Sequence, residues 1–451
     1  MMASYVGIKN DHSVCYLNSV IQQLFMMPSF REQIFQFTLQ QEDVGSNCDP
    51  KQSFLLELKS LFMSLENGRS LEDICSRRSD EAIDPLPFCK TVWNPLGSSD
   101  EIGMKDESYL DVDKQMDASE FLSLLLAQLS SSLDARNSLL QIGRHISGTL
   151  CNELYIADDA STRVIGKNLV VTSEQFYFIS VKVGSFGAVA STASASTSAS
   201  STSASSTSTS ASLSIAVSPP VTQSIYINTL RKALEEFTSD QDLKSFWKTE
   251  SSVEEGQREM LASKSSSTIS ASSLPSHFIV HLKRFRFDYT KMRQVKVNSR
   301  FEYPLNIDLW DYTSEARKER ADDAVWESNM RKGVGAADEK ESTATDITAL
   351  RKRCKYVLGG VIIHTGTARD GHYFSIVKER NQVNHTTGQC TTSKQAQVSM
   401  QDRWLKMNDE EVTEFSVEDL ERESFGGHAH GPLKKQNAFI LIYDMISHDV
   451  I

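Results

Sequence analysis

A polar loop that runs into an amphipathic helix, with a cysteine at the junction, constrains this chain more than any other stretch. The loop is Tyr5-Val-Gly-Ile-Lys-Asn-Asp-His-Ser-Val, and Cys15 follows it. Leu17, Val20, Ile21, Leu24 and Phe25 recur with helical spacing behind the cysteine, and Pro28 limits continuation. Such a helix has a face to bury, and burying it fixes Cys15 at the mouth. There the first backbone N–H groups and the positive end of the helix dipole favour thiolate over thiol, and the thiolate is the species that attacks a carbonyl. Alone the signal is weak, because a cysteine opening a helix is more often an inert buried thiol than a nucleophile.

The far end of the chain changes that balance. Tyr356-Val-Leu-Gly-Gly-Val-Ile-Ile-His reads as a strand, and after a glycine-bearing loop Asp370-Gly-His372-Tyr-Phe-Ser-Ile-Val starts the next one. A histidine at a strand edge behind glycine is held accessible yet fixed. Arg403-Trp-Leu-Lys-Met-Asn408-Asp409-Glu is a short strand that ends in an amide and a carboxylate, suited to orient His372. Cysteine, histidine and asparagine form one of the known nucleophile, base and orienter sets, whose members meet only in the fold.

With these residues in view the chain resembles a ubiquitin-specific protease, a papain-like cysteine deubiquitinase. The matching blocks run from Tyr5 to Tyr443. They are the cysteine box around Cys15, Gln115-Met-Asp117-Ala-Ser-Glu120-Phe-Leu, Leu274-Pro-Ser-His-Phe-Ile-Val-His-Leu-Lys-Arg-Phe285, Gly359 to Ser375, Trp404 to Thr413, and Asn437-Ala-Phe-Ile-Leu-Ile-Tyr443. Ser424-Phe-Gly-Gly-His and Lys434-Lys-Gln-Asn-Ala-Phe are similar to the large fat-facets-like branch. Members of that branch are very long, so the sequence leaves open whether this is a stand-alone enzyme or a domain of a larger one.

The resemblance implies an α+β papain-like fold with thumb, palm and fingers. It implies hydrolysis of the isopeptide bond between the ubiquitin C-terminal glycine and a lysine. Cys15 would be the nucleophile and His372 the base; Asn408 would orient the imidazole, with Asp409 the adjacent acid that shares the task in some members. Asn10 matches the side chain that helps hold the oxyanion, a donor worth roughly 3 kcal/mol in other hydrolases. Gln115 and Asp117 would lie beside the channel for the ubiquitin tail, on the first turn of an amphipathic helix from Gln115 to Leu129. His364, Gly371 and Tyr373 would line the path to the thiol.

The chain departs from the family pattern at His12, Val14 and Asp370, where members usually carry glycine or threonine. A side chain there is expected to strain or narrow the cleft where backbone needs positive φ or another chain passes close. His12 itself reads as an exposed loop histidine without a role. Two alternatives follow: a ubiquitin-binding module with weak or no catalysis, and a protease for another ubiquitin-like modifier. Many members also bind zinc through paired Cys-x-x-Cys motifs in the fingers. Here only Cys151 lies at the first pair and no Cys-x-x-Cys occurs, so metal-free fingers and no cofactor are expected.

Composition suits a soluble enzyme that buries a large core, with 39% hydrophobic and 24% charged among 451 residues. No run approaches the roughly twenty apolar residues a membrane span needs. Seven scattered cysteines and a thiolate chemistry point to a reducing compartment, cytoplasmic or also nuclear. A net charge of −12 argues against a nucleic-acid surface and suits a partner with a basic face, as ubiquitin's arginine-bearing tail provides. A monomer is expected.

Residues 1–451 read as a single catalytic domain: a helical thumb over 1–145, a fingers-like region over 146–275 and a palm over 276–451. The thumb carries an irregular insertion near Asp80 to Asp113. In the fingers, Gln175 to Val183 and Ser224 to Ile227 read as strands, Leu230 to Phe237 as a helix, and the Ala/Ser/Thr stretch over 187–213 as a disordered loop. The palm carries a flexible charged insertion about 314–345. Phe278, Val280 and Leu282 share one strand face, with Arg284 and Arg286 carrying that side into solvent.

Overall fold

The computed structural model describes residues 5–37, 50–68, 82–93, 109–133, 142–155, 168–186, 225–248, 261–321, 341–380, 403–428 and 433–446. The expected loop over 187–213 lies outside them, as do residues 94–108 and 322–340 of the two expected insertions.

The first part is helical, with α1 (Cys15–Phe25), α2 (Pro28–Gln36), α3 (Pro50–Asn67), α4 (Leu86–Cys89), α5 (Ala118–Leu133) and α6 (Ile142–Ile146). Pro28 both stops α1 and starts α2, because a proline at the first helical position loses no hydrogen bond. All eleven residues of α1 are buried, so the helix has no solvent face. Both of its glutamines bond to backbone instead: Gln22 Nε2 to Val6 O at 3.3 Å and Gln23 Nε2 to Ile376 O at 3.2 Å.

Strands follow. The middle of the chain contains β1 (Gly148–Tyr155), β2 (Asn168–Phe176), β3 (Ile179–Lys182), β4 (Gly184–Phe186), β5 (Ile225–Ile227), α7 (Leu230–Thr238), β6 (Gln241–Lys248) and β7 (Leu261–Ile269). Beyond it come β8 (His277–Lys283), β9 (Phe285–Asp288), β10 (Arg293–Lys296), β11 (Asn306–Asp308), α8 (Glu341–Arg353), β12 (Lys355–Gly366) and β13 (Gly371–Lys378). β14 (Trp404–Asn408), β15 (Glu411–Phe415), α9 (Leu420–Ser424) and β16 (Asn437–Met445) complete the order.

A four-stranded sheet runs β2-β1-β7-β6, and a larger sheet runs β15-β14-β13-β12-β16-β8-β3 with β11 on β12. The larger sheet is antiparallel except where β3 lies parallel to β8. Period-two alternation gives it two buried faces. Ile279, Tyr373, Val377, Ile440 and Ile442 pack against α1, α2, α3 and α5. Phe278, Val280, Leu282, Phe374, Ile376, Leu441 and Tyr443 face the other way, towards α7 and Trp310. The arrangement is mixed helix and sheet, α+β.

Two sequence expectations need correction. The run Gln175 to Val183 is not one strand: the chain breaks at Tyr177 and Phe178, so β2 joins the four-stranded sheet and β3 the larger one. Arg284 does not reach solvent. It is fully buried, donating Nε to Ala438 O at 2.6 Å and Nη1 to Val297 O at 2.9 Å and Ser299 O at 3.1 Å. The alternation ends at Lys283, and the side chain turns inward because three carbonyls there need a donor. Burial lowers its pKa to about 9.

Candidate active site

Cys15 is the first residue of α1, and no side chain caps that helix. The first amides of α1 therefore point at the mouth where Cys15 sits. α1 packs on β12, β13 and β14, so Cys15 comes beside the start of β13. There His372 faces Cys15, and the interaction with that thiol, with help from Asn408 and against burial, raises the imidazole pKa to about 9.

Nε2 of His372 lies 2.7 Å from Asn408 Oδ1. An amide oxygen only accepts, so Nε2 carries a proton and the other ring nitrogen is left for the thiol. Asp409 Oδ2 stands 3.6 Å from the same nitrogen, beyond hydrogen-bond reach. Asn408 is thus the group in contact with the ring. Both residues sit where they do because β14 and β15 close in a two-residue loop, with Asp409 at φ 51°. Aspartate tolerates that left-handed backbone better than most side chains.

Asp409 has other partners. Its Oδ2 accepts from Asn10 Nδ2 at 2.9 Å and its Oδ1 from Asn18 Nδ2 at 2.8 Å. Burial raises its pKa, while the two amides oppose the rise. Asn10 Oδ1 accepts from Val14 N at 3.0 Å, which fixes the amide's orientation and leaves one Nδ2 proton for another acceptor. Sequence reasoning missed Asn18. It lies one turn after Cys15 as a polar residue in an apolar run, and that spacing is the signal that would have found it.

The predicted channel residues divide. Gln115 precedes α5 and spans to the start of β13, with Nε2 donating to Gly371 O at 2.8 Å and Oε1 facing Gly371 N at 3.4 Å. Asp117 caps α5 rather than lying in its first turn, with Oδ1 accepting from Ser119 N and Ser119 Oγ, each at 2.7 Å. Burial raises its pKa.

His364 and Tyr373 were expected to line the path. Instead both are 2% exposed and directly opposite across β12 and β13, with ring centroids 4.6 Å apart and planes tilted by 56°. They form the floor behind Gly371. A Cβ on Gly371 would lie 2.0 Å from His364 Nε2, so only glycine lets the two strands approach. The remaining ring nitrogen of His364, Nδ1, has no hydrogen-bond partner among the described residues. Burial and Lys296 lower its pKa to about 3.

The expected strain at His12, Val14 and Asp370 is absent, since none of them takes positive φ. Asp370 is exposed in a turn closed by Thr367, which donates its backbone N–H to Asp370 O at 2.8 Å. His12 is not idle: its Nδ1 lies 2.8 Å from Asp113 Oδ1, tying the cysteine loop to the loop before α5. Among the described residues no group of three or more His, Cys, Asp or Glu could hold a metal ion.

A papain-type order of thiol, imidazole and amide on such a scaffold defines a class of cysteine hydrolase. The sequence profile of the family described as Ubiquitin carboxyl-terminal hydrolase matches residues 6–443, and the chain belongs to that family. Relatives include Ubiquitin carboxyl-terminal hydrolase 24 of Mus musculus, 24% identical over 99% of this chain and 14% of that protein. Ubiquitin carboxyl-terminal hydrolase 34 of Homo sapiens is 24% identical over 94% of this chain and 9% of its own length. Ubiquitin carboxyl-terminal hydrolase 15 of Schizosaccharomyces pombe is 23% identical over 97% of this chain and 28% of its own. The chain thus spans well under a third of the length of each.

Proposed function

We propose that this chain is a thiol-dependent deubiquitinase that hydrolyses the isopeptide bond between the C-terminal glycine of ubiquitin and a lysine amine. The observation that carries the reading is the contact of His372 with Cys15 on one side and Asn408 on the other. In this reading the helices through α6 are the thumb, the larger sheet the palm and the four-stranded sheet the fingers of a papain-like hand.

Cys15 Sγ attacks the glycine carbonyl carbon, and its proton resides on His372. The oxyanion forms beside the first N–H groups of α1 and the remaining Nδ2 proton of Asn10. His372 then gives its proton to the departing lysine nitrogen, leaving a thioester. Water attacks the thioester, His372 takes its proton and returns it to sulfur, and ubiquitin leaves with a free carboxylate. Asn408 keeps the ring in the tautomer and plane that both transfers need. Asp409 holds Asn10 and Asn18 by hydrogen bonds and acts on the imidazole through its charge alone, from 3.6 Å.

A fluorogenic amide at the ubiquitin C-terminus tests this. Wild type turns it over, and Cys15→Ala and His372→Ala do not. Wild type that binds ubiquitin without turnover would refute the reading in favour of a binding module. Turnover only with another ubiquitin-like modifier would move the substrate and keep the chemistry.

A further inference from the structure

A second polar network lies behind the thumb, at the opposite end of α1 from Cys15. Ser29 Oγ, near the start of α2, is 3.0 Å from His277 Nε2. His277 Nδ1 is 2.7 Å from Asp444 Oδ1. Arg380 donates Nε to Asp444 Oδ2 at 2.7 Å and Nη2 to Oδ1 at 3.1 Å. Its third nitrogen, Nη1, reaches Met26 O at 3.2 Å, the carbonyl of the residue that ends α1. His277 on β8 and Asp444 on β16 are directly paired, so the palm side of the network is built into the sheet.

The atom order Ser29, His277, Asp444 is that of a serine hydrolase triad. Arg380, however, takes both oxygens of Asp444, and the carboxylate is held well below its usual range, against burial, first by this guanidinium and then by His277. The charge that a triad needs for its imidazolium is committed to the arginine. What the network does is hold: two contacts, at Ser29 and at Met26 O, reach from the palm to the corner between α1 and α2.

Other ties stand along the same helix. Ser375 Oγ donates to Ser19 O at 2.8 Å, and Gln23 meets Ile376 O. A Cβ on Gly360 would lie 2.0 Å from Gln23 Oε1, so β12 leaves no slack there. α1 is thus a buried rod pinned at intervals, with Cys15 at one end and the Asp444 network at the other. Eleven residues make a lever of about 16 Å, over which a tilt of about 4° moves the far end by about 1 Å. Misplacement on that scale is enough to slow chemistry strongly.

We propose that Ser29, His277, Asp444 and Arg380 form a latch that fixes the α1–α2 corner to the palm and so positions Cys15 against His372. The idea rests on the function proposed above only for its turnover arm. The test uses Ser29→Ala, Ser29→Thr and Asp444→Asn beside wild type. It measures kcat and KM on the ubiquitin fluorogenic amide, the rate of iodoacetamide alkylation of the Cys15 peptide without ubiquitin, and thermal melting. Ser29→Ala is expected to lower kcat and the alkylation rate about 3- to 10-fold with KM unchanged. Ser29→Thr, which keeps the hydroxyl, restores both, and Asp444→Asn has the larger effect. A lower melting temperature with kcat and Cys15 alkylation unchanged would make the network a stabilising contact only and overturn the latch. Wild type without turnover would refute the deubiquitinase reading, while the alkylation rates would still decide the latch.

Discussion

Asn408 and Asp409 are neighbours in sequence with different work. Asn408 Oδ1 touches the ring at 2.7 Å, while Asp409 holds two amides and stands 3.6 Å from it. Asn408→Ala should lower kcat by roughly a hundredfold or more with little change in melting temperature, because its loss frees the ring without emptying the core. Asp409→Ala should lower both. It leaves the buried Asn18 amide without its carboxylate, which costs about 1–3 kcal/mol, and it frees Asn10 from one of its anchors. Steady-state kinetics beside thermal melting separates the two. Equal loss of kcat with equal stability in both variants would contradict the division.

At the scale of elements, the β12–β13 ladder sets a pH dependence. His364 is pressed between Phe285 and Tyr373, neutral, with its folded pKa lowered from 6.5 to about 3. Between those values the unfolded chain binds a proton that the folded chain refuses, so this contribution is complete above about 6.5 and is lost as the pH falls towards 3. Urea midpoints should fall on acidification through this window in wild type. They should fall less in His364→Phe, which keeps the ring and removes the proton site. Equal pH slopes would contradict the assignment. The same ladder makes Gly371→Ala damaging, since the new methyl meets His364 and moves His372 with it. A drop in kcat of at least tenfold is expected from a shift of about 1 Å.

Elements with a strong local period were legible in the chain: α1, β12, β13 and β14 fall where spacing and glycine placed them. The breaks were not. The end of β2 runs into β3 through the apolar stretch Phe176 to Ile179, and only their membership of different sheets, a tertiary fact, separates them. Arg284 read as exposed because alternation continues past β8 on paper, whereas the carbonyls that draw it inward come from β16 and from the stretch just after β10. Asn18 and the Asp444 network likewise join residues distant in sequence, which no window of the chain brings together.

The whole molecule carries a formal charge of −12. If an acidic enzyme steers a partner with a basic tail, association with ubiquitin should slow as ionic strength rises from about 0.01 M, where the Debye length is about 30 Å, to about 0.15 M, where it is about 8 Å, and level off beyond. Stopped-flow binding at low and high salt reads this, and a salt-independent association rate would assign recognition to shape rather than to net charge.

The central claim is that Cys15 and His372 form one reactive pair. Ubiquitin carrying a C-terminal electrophile, followed by intact mass and peptide mapping, measures it most directly. A single adduct on Cys15 is expected, absent in Cys15→Ala and slowed in His372→Ala. Capture at any of the other six cysteines, or at Cys15 with a rate indifferent to His372, would contradict it.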